Sequence, residues 1–260
     1  MSSCNQYLKI MKQISKLLAV VAVLSFSLTS CYFDFDDDGR SPNFSNNCEE
    51  GFGSTVTQDL NLSDFTGFEL NVDAQVYLRT GDEVEVTVKG QGNIIDELET
   101  RVRNDVWEIE FNDCVEDSDV LRIYITSPNL TFIANNGAGK IQSDDILNIS
   151  DLEVKNNGSG AIQLSIQGDI ITARNTGSGK LEIEGVASTL DANLRGSGDL
   201  QAFDLLAKDG QVEIDGSGDA QVNISDFLEI MIEGSGDVYY KGDPDLKVTT
   251  RGSGKVFNAD

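Results

Sequence analysis

Three aspartates stand at equivalent places in consecutive repeats. Asp199, Asp219 and Asp237 each lie three residues beyond the first glycine of a Gly-Ser-Gly triplet. The same place holds Lys140, Ala161, Lys180 and Lys255 in the other repeats. If repeats stack as neighbouring strands do, roughly 4.8 Å apart, the three carboxylates form a column. Like charges that close repel, and a cation relieves the repulsion. Calcium is the metal such a column would take, because it accepts several hard oxygen ligands. Carboxylates beside a Lys or Arg also make the groove of polysaccharide hydrolases and lyases built on β-helices. The third alternative is a solvated turn column, screened by water and salt.

Two residues further along, a second column reads Gln142, Gln163, Glu182, Gln201, Gln221, Tyr239 and Phe257. Alternation of apolar and polar residues points it outward. Amides at Gln201 and Gln221 beside the aromatics Tyr239 and Phe257 carry the chemistry of a sugar-binding face. In the competing reading, Tyr239 and Phe257 cap the C-terminal coils, since a stack must cover its open end.

Other chemistries are excluded by composition. The 260 residues contain no histidine, which removes Ser-His-Asp and Cys-His catalysis and any histidine general base. Zinc is poorly served by two available thiols and no imidazole. The Gly-x-Gly triplets lack the Lys-Ser/Thr and the long helix of a phosphate loop. Net charge is −25, and residues 1–30 hold three lysines and no acid, so the remainder carries −25 − 3 = −28. That charge repels nucleic acid and keeps a many-edged β-protein apart from its neighbours.

The repeat positions these columns. Gly-Ser-Gly begins at Gly158, Gly177, Gly196, Gly216, Gly234 and Gly252, preceded by Gly137-Ala138-Gly139. First glycines are spaced by 21, 19, 19, 20, 18 and 18 residues. A near-constant period of this size signals stacked units. Four residues after the glycine stand Ile141, Ile162, Leu181, Leu200, Ala220, Val238 and Val256, and four before it Ile133, Val154, Ala173, Ala192, Val212, Ile230 and Val248. Intervening residues are mostly polar, so the units are half-buried strands. The fold class that follows is all-β: a single-stranded parallel β-helix, a solenoid with coils of about 18–21 residues and an irregular N-terminal β cap. Glycine at each corner is expected both for positive φ and for close approach of coils. Asn135, Asn156 and Asn175 share the column two before the glycine and predict an amide ladder, or else three turn asparagines. One residue before the glycine, opposite charges pair Arg195 with Asp215 and Glu233 with Arg251 on adjacent coils.

The chain divides into four parts. Residues 1–30 read as a lipoprotein signal peptide, with Lys9, Lys12 and Lys16 before the apolar run Leu17 to Leu28. Met11 serves as a start as well as Met1. Leu28-Thr29-Ser30-Cys31 resembles a lipobox, which makes Cys31 the lipidated residue. Residues 31–54 form an acidic tether and linker; the run Asp34 to Asp38 resembles the signal that sends lipoproteins to the outer face of the outer membrane. With Cys4 lost and Cys31 acylated, Cys48 and Cys114 remain as an even pair in an oxidising compartment, predicting a disulfide that pins the tether to the first β-layer. Residues 55–130 make the irregular first coils or cap, with candidate strands 68–72, 75–79, 83–89, 106–111 and 120–126, a short helical stretch within 93–100, and Gly90-Gln91-Gly92 as a degenerate corner. Residues 131–260 make the regular β-helix.

The stretches Asp64-Phe65-Thr66-Gly67-Phe68-Glu69-Leu70, Val76-Tyr77-Leu78-Arg79-Thr80-Gly81-Asp82, Val88-Lys89-Gly90-Gln91-Gly92-Asn93 and Ile123-Tyr124-Ile125-Thr126-Ser127-Pro128-Asn129-Leu130, with the Gly-Ser-Gly-Asp corners, resemble the bacterial auto-transporter adhesin head GIN domain family. The resemblance runs from about residue 60 to the C-terminus. It implies a single-chain β-helix on a secreted or lipid-anchored protein and brings no catalytic motif.

The expectation is a lipid-anchored, surface-exposed β-helix of the bacterial outer membrane, without catalytic activity. It would bind a glycan or a cell-surface protein in the manner of an adhesin. A structural or sensing envelope protein and a polysaccharide-active enzyme are the alternatives.

Overall fold

The structure is a computed structural model that describes residues 48–116 and 118–260. The signal peptide, Cys31 and the acidic run lie outside the described residues. The N-terminal part comprises β1 (Glu49–Glu50), β2 (Thr55–Leu60), β3 (Gly67–Leu70), β4 (Ala74–Thr80), β5 (Glu85–Gln91), the short helix α1 (Gly92–Asp96), β6 (Val102–Arg103), β7 (Val106–Ile109), β8 (Val115–Glu116) and β9 (Leu121–Ser127). The solenoid continues through β10 (Phe132–Asn135), β11 (Lys140–Ser143), β12 (Leu147–Asn156), β13 (Ala161–Asn175), β14 (Lys180–Leu194), β15 (Leu200–Ile214), β16 (Ala220–Ile232), β17 (Val238–Lys241), β18 (Asp245–Thr250) and β19 (Val256–Asn258).

It is a parallel β-solenoid of about 7 turns, as the repeat predicts. One face stacks β9, β4, β11, the first segments of β13 to β16, β17 and β19. A second face stacks β7, β3, β10, β12, the later segments of β13 to β16, and β18. β13, β14 and β15 each run 15 residues and β16 runs 13, because a single strand bends to serve both faces.

Alternation builds the core. On the first face the inward column is Ile123, Val76, Ile141, Ile162, Leu181, Leu200, Ala220 and Val238, all buried. On the second it is Trp107, Phe68, Ile133, Val154, Ala173, Ala192, Val212 and Ile230, also buried. Each large member contributes about 1.5–3 kcal/mol through burial. Trp107 points inward, as its alternation with Ile109 predicts, and its indole N–H donates to the Glu99 carbonyl at 2.8 Å.

At the N-terminal end, spatial order departs from chain order. The coil containing β3 and β4 comes first in sequence but sits between the coil of β7 and β9 and the coil of β10 and β11. β5 then pairs antiparallel with β9, and β2 antiparallel with β5. α1 buries Ile94 and Ile95. Gly90-Gln91-Gly92 is therefore not a corner: it ends β5 and opens α1. The C-terminal end is barer. Leu246 and Val248 continue the inward columns of Leu228 and Ile230, yet are 42% and 43% exposed. Lys247 and Arg251 lie on the same outermost strand region, charges of the kind that blunt an open edge.

The corner glycines are there for proximity alone. Among the described glycines, positive φ occurs at Gly53, Gly185 and Gly242 and at no Gly-Ser-Gly corner, which corrects half of the expectation. A Cβ on Gly177 would collide with the Gly158 carbonyl oxygen in the coil below.

Candidate functional site

The aspartate column is built, and one oxygen of each carboxylate is taken by the main chain. Asp199 Oδ1 accepts the backbone N–H of Asp219 at 2.9 Å. Asp219 Oδ1 accepts that of Asp237 at 2.7 Å, and Asp237 Oδ1 that of Lys255 at 2.7 Å. Each aspartate thus ties its own coil to the next through the main chain. Among the described residues, the one set of three acidic or thiol groups converging within 4.8 Å is Cys48, Cys114 and Glu116, and its two sulfurs are bonded to each other.

The corner has two chemistries, and they alternate by residue type. Asn135, Asn156 and Asn175 are in register and buried. Their amides do not bond to one another, which corrects the ladder expectation. Each Nδ2 donates to its own corner carbonyl, at Gly139, Gly160 and Gly179, over 2.7, 2.9 and 2.8 Å, and those of Asn156 and Asn175 also reach the Lys180 and Asp199 carbonyls of the next coil at 3.4 and 3.3 Å. Asn156 and Asn175 leave Oδ1 buried without a partner. From the next coil onward this inner position becomes Leu194, Ile214 and Ile232, and the aspartates appear outside it. An inner amide and an outer carboxylate are alternative ways to satisfy one crowded turn. A true side-chain ladder runs just outside, from Asn157 to Asn136 at 2.8 Å and Asn136 to Asn71 at 2.7 Å, with the Thr176 hydroxyl donating to Asn157 at 2.8 Å. Of the two expected charge pairs on this edge, Arg251 meets Glu233 at 2.8 Å; among the described residues no ion pair joins Arg195 to Asp215.

The outward amide and aromatic column is also real. Gln142, Gln163, Glu182, Gln201, Gln221, Tyr239 and Phe257 are consecutive partners on the first face. Gln201, Gln221 and Tyr239 are half-buried and Phe257 is exposed. The rings of Tyr239 and Phe257 stack with centroids 5.1 Å apart and planes at 17°. They stack on each other at the surface, and Leu246 and Val248 in the same last coils remain partly exposed. At mid-column, Glu182 accepts from Lys180 Nζ and from Gln163 Nε2, both at 2.9 Å. Those two hydrogen bonds hold its carboxyl below the ordinary carboxylate value.

Sequence reasoning missed the far end of this column. Gln142 pairs with Tyr77, and Tyr77 with Tyr124. These rings stack in the same manner, at 5.0 Å and 16°. The Arg79 guanidinium lies 5.7 Å from the Tyr124 centroid and pairs with Asp144 at 2.7 Å. The signal was the alternation in Val76-Tyr77-Leu78 and Ile123-Tyr124-Ile125, but the reversed stacking order concealed where those tyrosines lie.

The disulfide forms between Cys48 and Cys114, 66 residues apart, as the cysteine count predicts. It fastens β1 alongside β8, where the Glu49 N–H donates to the Cys114 carbonyl at 2.7 Å.

Solved structures share this architecture. A protein of Bacteroides fragilis NCTC 9343 described as "a putative adhesin" superimposes with a TM-score of 0.77 at 21% identity, covering 81% of this chain and 99% of that one. A "putative lipid binding protein" of Parabacteroides distasonis ATCC 8503 gives 0.68 at 22% identity, with 82% and 99% covered. A "putative adhesin" of Parabacteroides merdae ATCC 43184 gives 0.64 at 18% identity, again with 82% and 99% covered. At such identities the likeness is one of fold. No curated protein matches the sequence. The family described as "Putative auto-transporter adhesin, head GIN domain" matches residues 64–244. With more than half of its length so matched, the chain belongs to the auto-transporter adhesin head GIN domain family.

Proposed function

We propose that this protein is a non-catalytic, glycan-binding adhesin, held by a lipid on Cys31 at the outer face of the outer membrane. The observation that carries the binding reading is the Tyr239–Phe257 stack, in register with the amides of Gln201 and Gln221 on an outward column. Aromatic rings supply apolar contact to sugar C–H faces, and amides offer both a donor and an acceptor to hydroxyls. Each aspartate of the column gives one oxygen to the backbone of the next coil, a structural use that supports the non-catalytic reading. The adhesin descriptions of the family and of the solved neighbours agree with a cell-surface role.

The test is binding of the purified protein to arrayed glycans and matrix proteins, with calcium and with EDTA. A glycan signal that survives chelation and is lost in Tyr239→Ala and Phe257→Ala supports the reading. A signal confined to protein ligands, or one indifferent to both substitutions, overturns it, and release of reducing ends would make the protein an enzyme. For the anchor, Cys31→Ala should abolish incorporation of labelled palmitate; retained labelling would exclude Cys31 as the acylated residue.

A further inference from the structure

We infer that the outward column of the first face is a two-ended track for an extended, uncharged β-1,4-linked glucan chain, anchored on Tyr77 and Tyr124 at one end and on Tyr239 and Phe257 at the other. The inference rests on the glycan reading above and adds a second anchor, a ligand geometry and a minimum ligand length. The column is unbroken from Tyr124 to Phe257, each member pairing with the next across neighbouring strands. Both ends carry stacked aromatic pairs of nearly the same geometry, 5.0 Å and 16° against 5.1 Å and 17°. The core does not demand these rings, since Val76, Leu78, Ile123 and Ile125 fill the interior on the same strands.

Between the anchors lie Gln142, Gln163, Glu182, Gln201 and Gln221, four amides and one carboxylate. The single charge in the column, Glu182, is paired with Lys180 at 2.9 Å, and Arg79 beside the Tyr77 end is paired with Asp144 at 2.7 Å. A ligand lying along the column meets amides, apolar rings and one paired carboxylate, and the strong negative charge of the whole chain repels an anionic polysaccharide. Strands on both sides of every central rung use up the backbone N–H and C=O groups, so an added peptide strand finds no edge to pair with. A chain read through side chains alone, one rung after another, must itself be extended.

Length follows from the coil spacing. Tyr77 and Tyr239 are six rungs apart, which at ~4.8 Å per rung is about 29 Å. One glucose of an extended β-1,4 chain advances by close to one rung, so about six sugars reach both anchors. Shorter chains occupy one anchor, and longer ones add little.

Calorimetric titration of the purified protein with cellobiose, cellotetraose, cellohexaose and cellooctaose tests this. Affinity should rise by about tenfold or more between cellotetraose and cellohexaose, as the second anchor engages, and then level off. Tyr77→Ala and Tyr124→Ala should remove that step and halve the cellobiose stoichiometry, leaving only the Tyr239–Phe257 end, whereas Tyr77→Phe should keep both. Unchanged melting curves establish that the variants are folded. A smooth rise with length, or a step that persists in both alanine variants, overturns the second anchor while the glycan reading stands. No binding of any cello-oligosaccharide overturns the inference as a whole, and the glycan array then decides the broader reading by itself.

Discussion

The side chain of Asp199 holds the main chain of Asp219: Oδ1 accepts the backbone N–H at 2.9 Å across the gap between two coils. The contact repeats from Asp219 to Asp237 and from Asp237 to Lys255. A charged acceptor on a backbone amide is among the stronger hydrogen bonds.

Substitution at the middle of this column separates charge from bonding. Asp219→Ala should cost about 1–2 kcal/mol, since it strips the Asp237 N–H of its acceptor. Asp219→Asn keeps an oxygen there and should cost less. Urea melts of the two variants measure the difference. With one oxygen of each carboxylate committed to the backbone, calcium and EDTA should give the same melting temperature; a rise with calcium would restore the column as a metal site.

Gly177→Ala should be among the most damaging single-methyl changes in the chain. The added carbon would collide with the Gly158 carbonyl oxygen, and that atom is main chain in a packed stack, so it cannot rotate away. A loss of about 3 kcal/mol is expected from overpacking at a site that cannot yield, read as a lower denaturation midpoint. Alanine at exposed Gly53 meets no atom but adopts its positive φ at a cost, and should be milder.

Reduction of the disulfide, or paired Cys48→Ser and Cys114→Ser, should remove up to about 4 kcal/mol, the loop-closure entropy of a segment this long. The first amides to lose hydrogen-exchange protection should be those of β1 and β8, whose two-stranded sheet has no other strand beside it.

Acid should weaken the fold from a definite side. Burial raises the Glu153 carboxyl, but hydrogen bonds from Arg174 and Lys155 outweigh it and leave the group below its usual value. Glu182 is lowered by Lys180 and Gln163. Groups depressed in the folded state stabilise it fully above the unfolded carboxylate value, and that contribution fades as pH falls through the folded values. Stability from denaturant melts should therefore be flat at neutral pH and decline below about pH 4, with a shallower decline in Glu182→Gln. Both pairs are more than a third exposed, so the change should be small and diminish in salt.

The regular coils were legible because one residue in each repeat position has the same job. Ile162, Leu181 and Leu200 share a column as their spacing says, and Gln201 meets Gln221 and Tyr239. The N-terminal end was not legible in this way. Tyr77 and Tyr124 belong beside Gln142, but the coil carrying Tyr77 was threaded between two later ones, and no local pattern records that order. The asparagines were placed correctly and bonded wrongly. A column position fixes which residues are neighbours, while the choice between a neighbouring amide and a carbonyl in the same turn depends on backbone direction. The exclusive use of Asn135, Asn156 and Asn175 against Asp199, Asp219 and Asp237 was present in the letters, and its meaning depended on knowing that both serve one turn.

At the Gly-Ser-Gly corners the first glycines of successive coils face each other main chain to main chain, too close for a Cβ. The glycines of this seam ask only that no Cβ be present, so the demands one unit of 18 to 21 residues makes on the next are confined to the asparagine or aspartate that ties the two coils and to the inward columns. The outer columns can then vary coil by coil, and the length of the stack changes in whole steps.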